Sequence, residues 1–361
     1  MKVLYDHQTF TWQKFGGISR YFCEIIKNMP PDIETYKSGV FSNNIYLTES
    51  LSREYIPFFP NLHTSGNKKE KIIEVPNRLN SIYKIIKGKY DLLHPTNYDC
   101  YFLKNNKKPF VLTIHDMSHE LFFPFDKTTI DSKKELAHKA SHIIAISENT
   151  KKDILSYYKD ISPDKITVIY HGNSLTGDYQ KESNIEKPYD YILYTGDRTC
   201  YKNFVPFVRA VSPILIERNL MLVCTGKPFS KDEFLFFQMQ KISDRVIHNF
   251  VSDSDLGTLY KQAKVFVFPS LYEGFGIPIL ESFAAGCPAI LSNTSSLPEI
   301  GGDAAAYFNP TDEINMREVI DNTLNDEKLR NNLVRKGTEK LKFFDWKKAA
   351  LETANVYRSN I

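Results

Sequence analysis

Glu273 and Glu281 stand with seven residues between them in the run Phe268-Pro269-Ser270-Leu271-Tyr272-Glu273-Gly274-Phe275-Gly276-Ile277-Pro278-Ile279-Leu280-Glu281. Carboxylates of this kind grip hydroxyl groups. The amides of Gly274, Phe275, Gly276 and Ile277 precede an apolar segment opened by Pro278, a residue suited to a helix start because its missing N–H has no partner to lose there. They lie at the positive end of that helix, which is a place for an anion. The implied ligand carries both hydroxyls and phosphates. Arg198 and Lys202, following Gly196, supply a planar fork and a mobile point charge that could clamp a diphosphate. Gly16 and Gly17, ahead of Ile18-Ser19-Arg20-Tyr21-Phe22, would let backbone amides approach a phosphate, or form a plain turn. His115 and Asp116 close another apolar run, poised either for a ligand or for a structural role.

These residues need strands to present them. Short apolar runs alternate with helical patterns twice over. In the first half strands are predicted at 2–6, 35–41, 92–94, 110–114, 142–146 and 166–170. In the second half they fall at 191–194, 221–224, 246–250, 265–268, 289–291 and 306–308. Such alternation predicts doubly wound parallel sheets. Two series predict two Rossmann-like domains, at 1–173 and 189–340, joined by the polar stretch 174–188 and followed by a closing helical segment at 341–361. Ligands of open parallel sheets bind beyond the carboxyl ends of the strands, where Glu273, Arg198 and His115 are predicted to lie.

Bulk properties set limits. A length of 361 residues suits two domains, and a net charge of +3 offers no general basis for nucleic-acid binding. Between positions 61 and 108, however, ten Lys or Arg face four acids, a distribution that suits either a solvated surface or contact with anionic lipid. Five cysteines without paired short spacing predict neither a zinc site nor a disulfide framework. No apolar run approaches the ~20 residues of a membrane span, and Met1-Lys2-Val3-Leu4-Tyr5-Asp6 runs straight into a strand rather than forming a signal peptide. The expected location is cytoplasmic, with at most peripheral membrane contact.

The glutamate pair, Ala284-Ala285-Gly286-Cys287-Pro288 and Leu297-Pro298-Glu299-Ile300-Gly301-Gly302-Asp303-Ala304-Ala305 together resemble the family 4 retaining glycosyltransferases. The resemblance implies the GT-B fold, an α/β architecture of two Rossmann-like domains facing a central cleft. It implies Glu281 on the ribose, Glu273 with the amides of Phe275 to Ile277 on the transferred sugar, and Gly274 beside them in the donor site. Arg198, Lys202, Gly16, Gly17 and Gly196 would meet the diphosphate, and His115 the sugar. Asn249-Phe250-Val251-Ser252, with Tyr260 downstream, resembles the segment against the base. The run from Asp6 to Gly17 is similar to members that build bacterial O-antigen or capsule, with glycan or lipid-linked acceptors; His7, Trp12 and Tyr98 would then line the acceptor site. GDP-mannose or a related sugar nucleotide is the expected donor. No metal or other cofactor is expected, since cationic side chains and helix dipoles would stabilise the leaving diphosphate. A nucleotide-sugar epimerase and a non-catalytic scaffold remain the rival readings.

Overall fold

The computed structural model describes residues 1–50, 55–58, 68–175, 189–249 and 253–361. The chain divides into two compact units, Met1–Gly172 with Asp345–Ile361, and Asn173–Phe344.

The first unit contains β1 (Lys2–Tyr5), β2 (Glu34–Lys37), β3 (Leu92–His94), β4 (Val111–Ile114), β5 (His142–Ala145) and β6 (Ile166–Val168). Parallel ladders give the orders β2-β1-β3 and β4-β5-β6, and a single parallel bridge between Leu93 and Phe110 joins the two sets. The central strands β3 and β4 are buried at every residue, as the inner strands of a parallel sheet require, while β2 is largely unburied. Tyr21 and Phe22 of the helix Gly17–Lys27 share a core with Val3, Tyr5, Val111 and the helix Trp346–Arg358. Tyr357 of that last helix closes the cluster, bonding to the Tyr5 hydroxyl at 2.8 Å and to His94 Nδ1 at 2.6 Å.

β2 stops at Lys37, short of the predicted Phe41. Beyond it the amides of Val40 and Phe41 both donate to the side chain of Asn77, at Oδ1 and 2.8 Å, and Phe41 keeps an isolated parallel bridge to Ile56.

The second unit is one sheet of six parallel strands. These are β7 (Tyr191–Tyr194), β8 (Met221–Cys224), β9 (Val246–His248), β10 (Val265–Phe268), β11 (Ala289–Ser292) and β12 (Ala305–Phe308), in the order β12-β11-β10-β7-β8-β9. Connections run outward in both directions from β7 and β10, which puts the topological switch point between them. A crevice for ligand opens at such a point because the two flanking loops turn to opposite faces of the sheet. In the first unit the same position lies between β1 and β3. There the fully buried Asp6 ties the loops together, accepting from Thr96 N at 2.8 Å, Thr96 Oγ1 at 2.7 Å and Gln8 Nε2 at 2.7 Å.

Candidate functional site

In the second unit the loops after β7 and β10 carry the expected charged residues. Lys202 Nζ meets Glu273 Oε1 at 2.7 Å, and Ser270 Oγ donates to the same oxygen at 2.6 Å. The backbone of Glu273 is clamped by the loop after β11: its amide donates to Ser295 Oγ at 3.0 Å, and Ser296 Oγ donates to its carbonyl at 2.8 Å. Ser295 adopts a left-handed backbone, φ 52°, uncommon for a residue with a side chain, and this conformation directs the hydroxyl at that amide.

The helix after β10 runs Ile277–Ala285, with Pro278 as its second residue. Gly276 caps it at φ 102°, and a Cβ there would lie 2.9 Å from Ile279 Cδ1. Only glycine fits that turn, which is what leaves a backbone-lined helix start beside Glu273. Glu281, in the middle of the helix, is buried, and the Tyr260 hydroxyl donates to its Oε2 at 3.1 Å. Thr195 Oγ1 lies 3.0 Å from that hydroxyl. Because Tyr260 spends its one proton on Glu281, Thr195 donates to Tyr260.

Arg198 departs from the expectation of an outstretched clamp. Its side chain is 6% exposed. Nε donates to Glu233 at 2.5 Å, Nη2 to the carbonyls of Lys227 at 2.7 Å and Pro228 at 3.1 Å, and Nη1 to the carbonyl of Thr225 at 3.3 Å. The guanidinium also lies over the Phe229 ring at 4.8 Å. Burial pushes the Glu233 carboxyl up, but its bonds to Arg198 and Ser230 outweigh this and hold it below the usual glutamate value. Arg198 is therefore a fixed cation that pins the loop after β7 to the loop after β8. Gly226 makes that approach possible: a Cβ there would sit 2.6 Å from the carbonyl oxygen of Gly196.

In the first unit a cavity of about 490 Å³ brings Trp12, Tyr98 and His115 together with Gln8, Ile18, Asn97, Asp99, Asp116, His119, Thr128, Thr129 and Ser132. The Tyr98 hydroxyl accepts the His115 amide at 3.1 Å. His115 is 7% exposed, and its Nε2 is buried with no hydrogen-bond partner among the described residues. Burial lowers the imidazole to about 4, Asp116 opposing the effect and Lys133 adding to it, so the ring is neutral at pH 7. Burial pushes Asp116 up, but the Lys133 ammonium and the Ser118 hydrogen bonds leave it below the usual carboxylate value. Ile18 carries the Gly16-Gly17 loop to this wall, where Gly16 caps the helix Gly17–Lys27.

His7 does not line the cavity. It is 3% exposed, and its Nδ1 bonds to Ser81 Oγ at 2.9 Å, while its ring packs on Tyr101. His94 is structural as well, bonded at both nitrogens and lowered by burial to about 3. Phe250 and Val251, expected near the base, lie outside the described residues. The chain does carry an Asp-x-Asp triplet, Asp253-Ser254-Asp255, which opens the helix Asp253–Gln262. Among the described residues no group of three or more His, Cys, Asp or Glu is arranged to hold a metal ion.

Sequence reasoning did not assign roles to Glu233, Ser270, Ser295, Ser296 or Thr195. Ser230-Lys231-Asp232-Glu233 is legible as a capping box, and the structure has one, but its glutamate also binds Arg198. No sequence signal links those two.

Two family models adjoin along the chain: "Glycosyltransferase Family 4" matches residues 15–175 and "Glycosyl transferases group 1" matches residues 176–340. Among curated proteins, the O-antigen chain mannosyltransferase B of Escherichia coli is 25% identical, over 99% of this chain and 100% of its own. The O-antigen chain mannosyltransferase RfbU of Salmonella typhimurium is 28% identical, over 65% of each. Among solved structures, sucrose-phosphate synthase of Thermosynechococcus elongatus superposes with a TM-score of 0.78 at 19% identity, covering 99% of this chain and 98% of its own. HepE of Anabaena, solved with UDP and glucose, superposes at 0.75 with 16% identity and 99% coverage of both. These likenesses extend over both units, and the fold is GT-B. The chain is a glycosyltransferase and belongs to glycosyltransferase family 4.

Proposed function

We propose that this enzyme transfers a sugar, with retention of anomeric configuration, from a nucleoside-diphosphate sugar to a glycan or lipid-linked glycan acceptor of a bacterial surface polysaccharide. GDP-mannose is the donor we favour, because the relatives over most of the chain carry the name O-antigen mannosyltransferase. The observation that carries the reading is the meeting of Lys202 and Glu273 at 2.7 Å beside a backbone-lined helix start, at the switch point of the second unit. UDP and glucose bound to HepE support a donor of this chemical class.

In this reading the bond from the anomeric carbon to the β-phosphate oxygen breaks, and a bond from the acceptor oxygen to the same face of that carbon forms. The departing phosphate takes the acceptor's proton. Negative charge grows on the diphosphate as it leaves, and Lys202, the fixed Arg198 and the amides from Gly274 to Ile277 oppose that charge. Preorganised groups of this kind stabilise a transition state without reorganising during the step. Glu281, anchored by Tyr260, would take the ribose hydroxyls, and Glu273 the sugar hydroxyls. The cavity lined by His115, Trp12 and Tyr98 would take the acceptor or the transferred sugar, which favours transfer over epimerisation. The cations are proposed to serve in place of a metal, so excess chelator should leave turnover unchanged.

The first test is the thermal stability of the purified protein with UDP, GDP, ADP, CMP and TDP at equal concentration. A ligand at 100 times its Kd adds about 2.7 kcal/mol, a visible shift. GDP alone should shift the transition, and the shift should vanish in Glu281→Ala. Failure of every one of these nucleotides to shift the transition would overturn the site. An inverted anomer in the product, read by NMR, would overturn retention.

A further inference from the structure

The helix Lys68–Lys87 is apolar on two opposite faces. Its inward face is already taken: Lys69, Ile73, Asn77, Ser81 and Ile85 are buried at four-residue spacing. Asn77 donates to Thr11 and to the carbonyl of Phe41, and Ser81 bonds to His7 and Ser38. Those bonds fix the roll of the helix. The opposite face carries Ile72, Val75, Leu79, Tyr83 and Ile86, which are 59%, 60%, 62%, 54% and 65% exposed. Successive spacings of three, four, four and three residues keep all five on one stripe of an α-helix. A surface helix of a soluble protein normally turns charge to that side. Five large apolar side chains in a row in water call for a partner.

Charge identifies the partner. Between positions 68 and 89 there are seven Lys or Arg and two Glu, and Lys68, Lys71, Lys87 and Lys89 are exposed. Two copies of this chain pairing through the stripe would bring two such basic surfaces together. A layer of anionic headgroups complements them instead, and an apolar stripe with a basic border is the pattern of a helix lying in the interface plane of a bilayer. The helix does not cross the membrane; no helix among the described residues is long and apolar enough for that. We propose that the outward face of Lys68–Lys87 docks this enzyme onto an anionic lipid surface, with Ile72, Val75, Leu79, Tyr83 and Ile86 inserted among the headgroups.

The helix also touches the candidate acceptor cavity. Arg78 meets Asp99 at 3.2 Å, and Asp99 lines that cavity. Docking would therefore hold the cavity close to the bilayer surface, where a lipid-linked acceptor resides. That consequence rests on the proposed glycosyl transfer; docking itself does not.

The test is co-sedimentation of the full chain with phosphatidylcholine vesicles, with and without about 30 mol% phosphatidylglycerol. The protein should sediment with the anionic vesicles and be released by raised salt. I72S/L79S/I86S should weaken binding by more than about tenfold, because burial of apolar side chains scales the affinity of interfacial helices. These positions are exposed, so melting temperature and any nucleotide-induced shift should be unchanged. In Leu79→Trp, brominated lipid should quench the new indole, a direct reading of insertion. Absence of binding to anionic vesicles, undiminished binding by the triple variant, or an unquenched Trp would each overturn docking. So would a wild-type dimer that the triple variant converts to monomer, since the stripe would then belong to a second copy. A protein that binds vesicles but transfers no sugar would fail the proposed activity and leave the docking surface standing.

Discussion

At the scale of single residues, Arg198 shows how one side chain can hold both a charge and a scaffold. Its four hydrogen bonds go to Glu233 and to three carbonyls of the loop after β8, so truncation removes a cation and unpins two loops at once. Arg198→Ala should lower turnover by about 10²-fold or more, the range for one preorganised donor. It should also lower the melting temperature, because Glu233 loses its partner. Arg198→Lys keeps the charge without the fork and separates the two effects. Turnover near wild type in Arg198→Lys with a lowered melting temperature is expected if charge is what the chemistry uses. Full turnover in Arg198→Ala would remove Arg198 from the reaction. Tyr260→Phe is a milder test of the donor site. It leaves the ring and removes the hydroxyl that anchors Glu281, so nucleotide affinity should fall by about 1 kcal/mol, the worth of one hydrogen bond. Isothermal titration with the binding nucleotide measures it.

At the scale of elements, the loop after β4 depends on a charge buried beneath it. Lys133, in the helix Lys127–Lys139, is fully buried and donates to Glu120 Oε2 at 2.9 Å and to the carbonyl of Asp116 at 3.1 Å. The Tyr158 hydroxyl donates to the other oxygen of Glu120 at 2.8 Å. The helix thus fixes the His115-Asp116 loop from below, and His115 has its place in the cavity by virtue of a pair whose side chains are almost wholly buried. Lys133→Met leaves Glu120 buried and uncompensated and should destabilise the fold by about 3–5 kcal/mol in chemical denaturation. Lys133→Met combined with Glu120→Leu should recover much of that loss, because removing both charges removes the desolvation cost along with the attraction. A single variant as stable as wild type would show that the pair does not hold the loop.

At the scale of the whole molecule, buried histidines make the fold sensitive to acid. Burial holds His115 at about 4 and His94 at about 3, both below the ordinary 6.5. Above pH 6.5 neither the folded nor the unfolded state binds these protons, and the stability they carry is fully present. As pH falls below that value the unfolded chain takes up protons that the folded chain refuses, so stability declines until the folded pKa values are reached. Denaturant midpoints should therefore drop from pH 7 to pH 5, and His115→Asn should flatten the slope. A slope unchanged by that substitution would place the acid sensitivity elsewhere. The same neutrality means that protonation of His115 should leave no inflection in the pH–rate profile above pH 6.

The sequence by itself determined the strand order in time, though not in space. The twelve strands among the described residues overlap the predicted runs, with ends shifted by a few residues. The central ones, such as β4, β7 and β10, are buried throughout because a parallel strand covered on both faces must be apolar, whereas the edge strand β2, Glu34–Lys37, is polar and largely unburied. The charged residues that end or follow those strands were legible for the same reason: a polar group just past a buried strand interrupts an otherwise apolar pattern. What only the tertiary structure decided were pairings across the fold. His7 turned from a candidate ligand into a core residue because Ser81, on a helix far along the chain, bonds it at 2.9 Å. Arg198 turned inward because Glu233 and three carbonyls surround it, and His115 was buried among the rings of Tyr21, Phe22 and His171 with its Nε2 unpartnered among the described residues. Periodicity records which side of an element faces the core. It carries no record of which distant residue will be waiting there, and that is decided only when the sheets assemble.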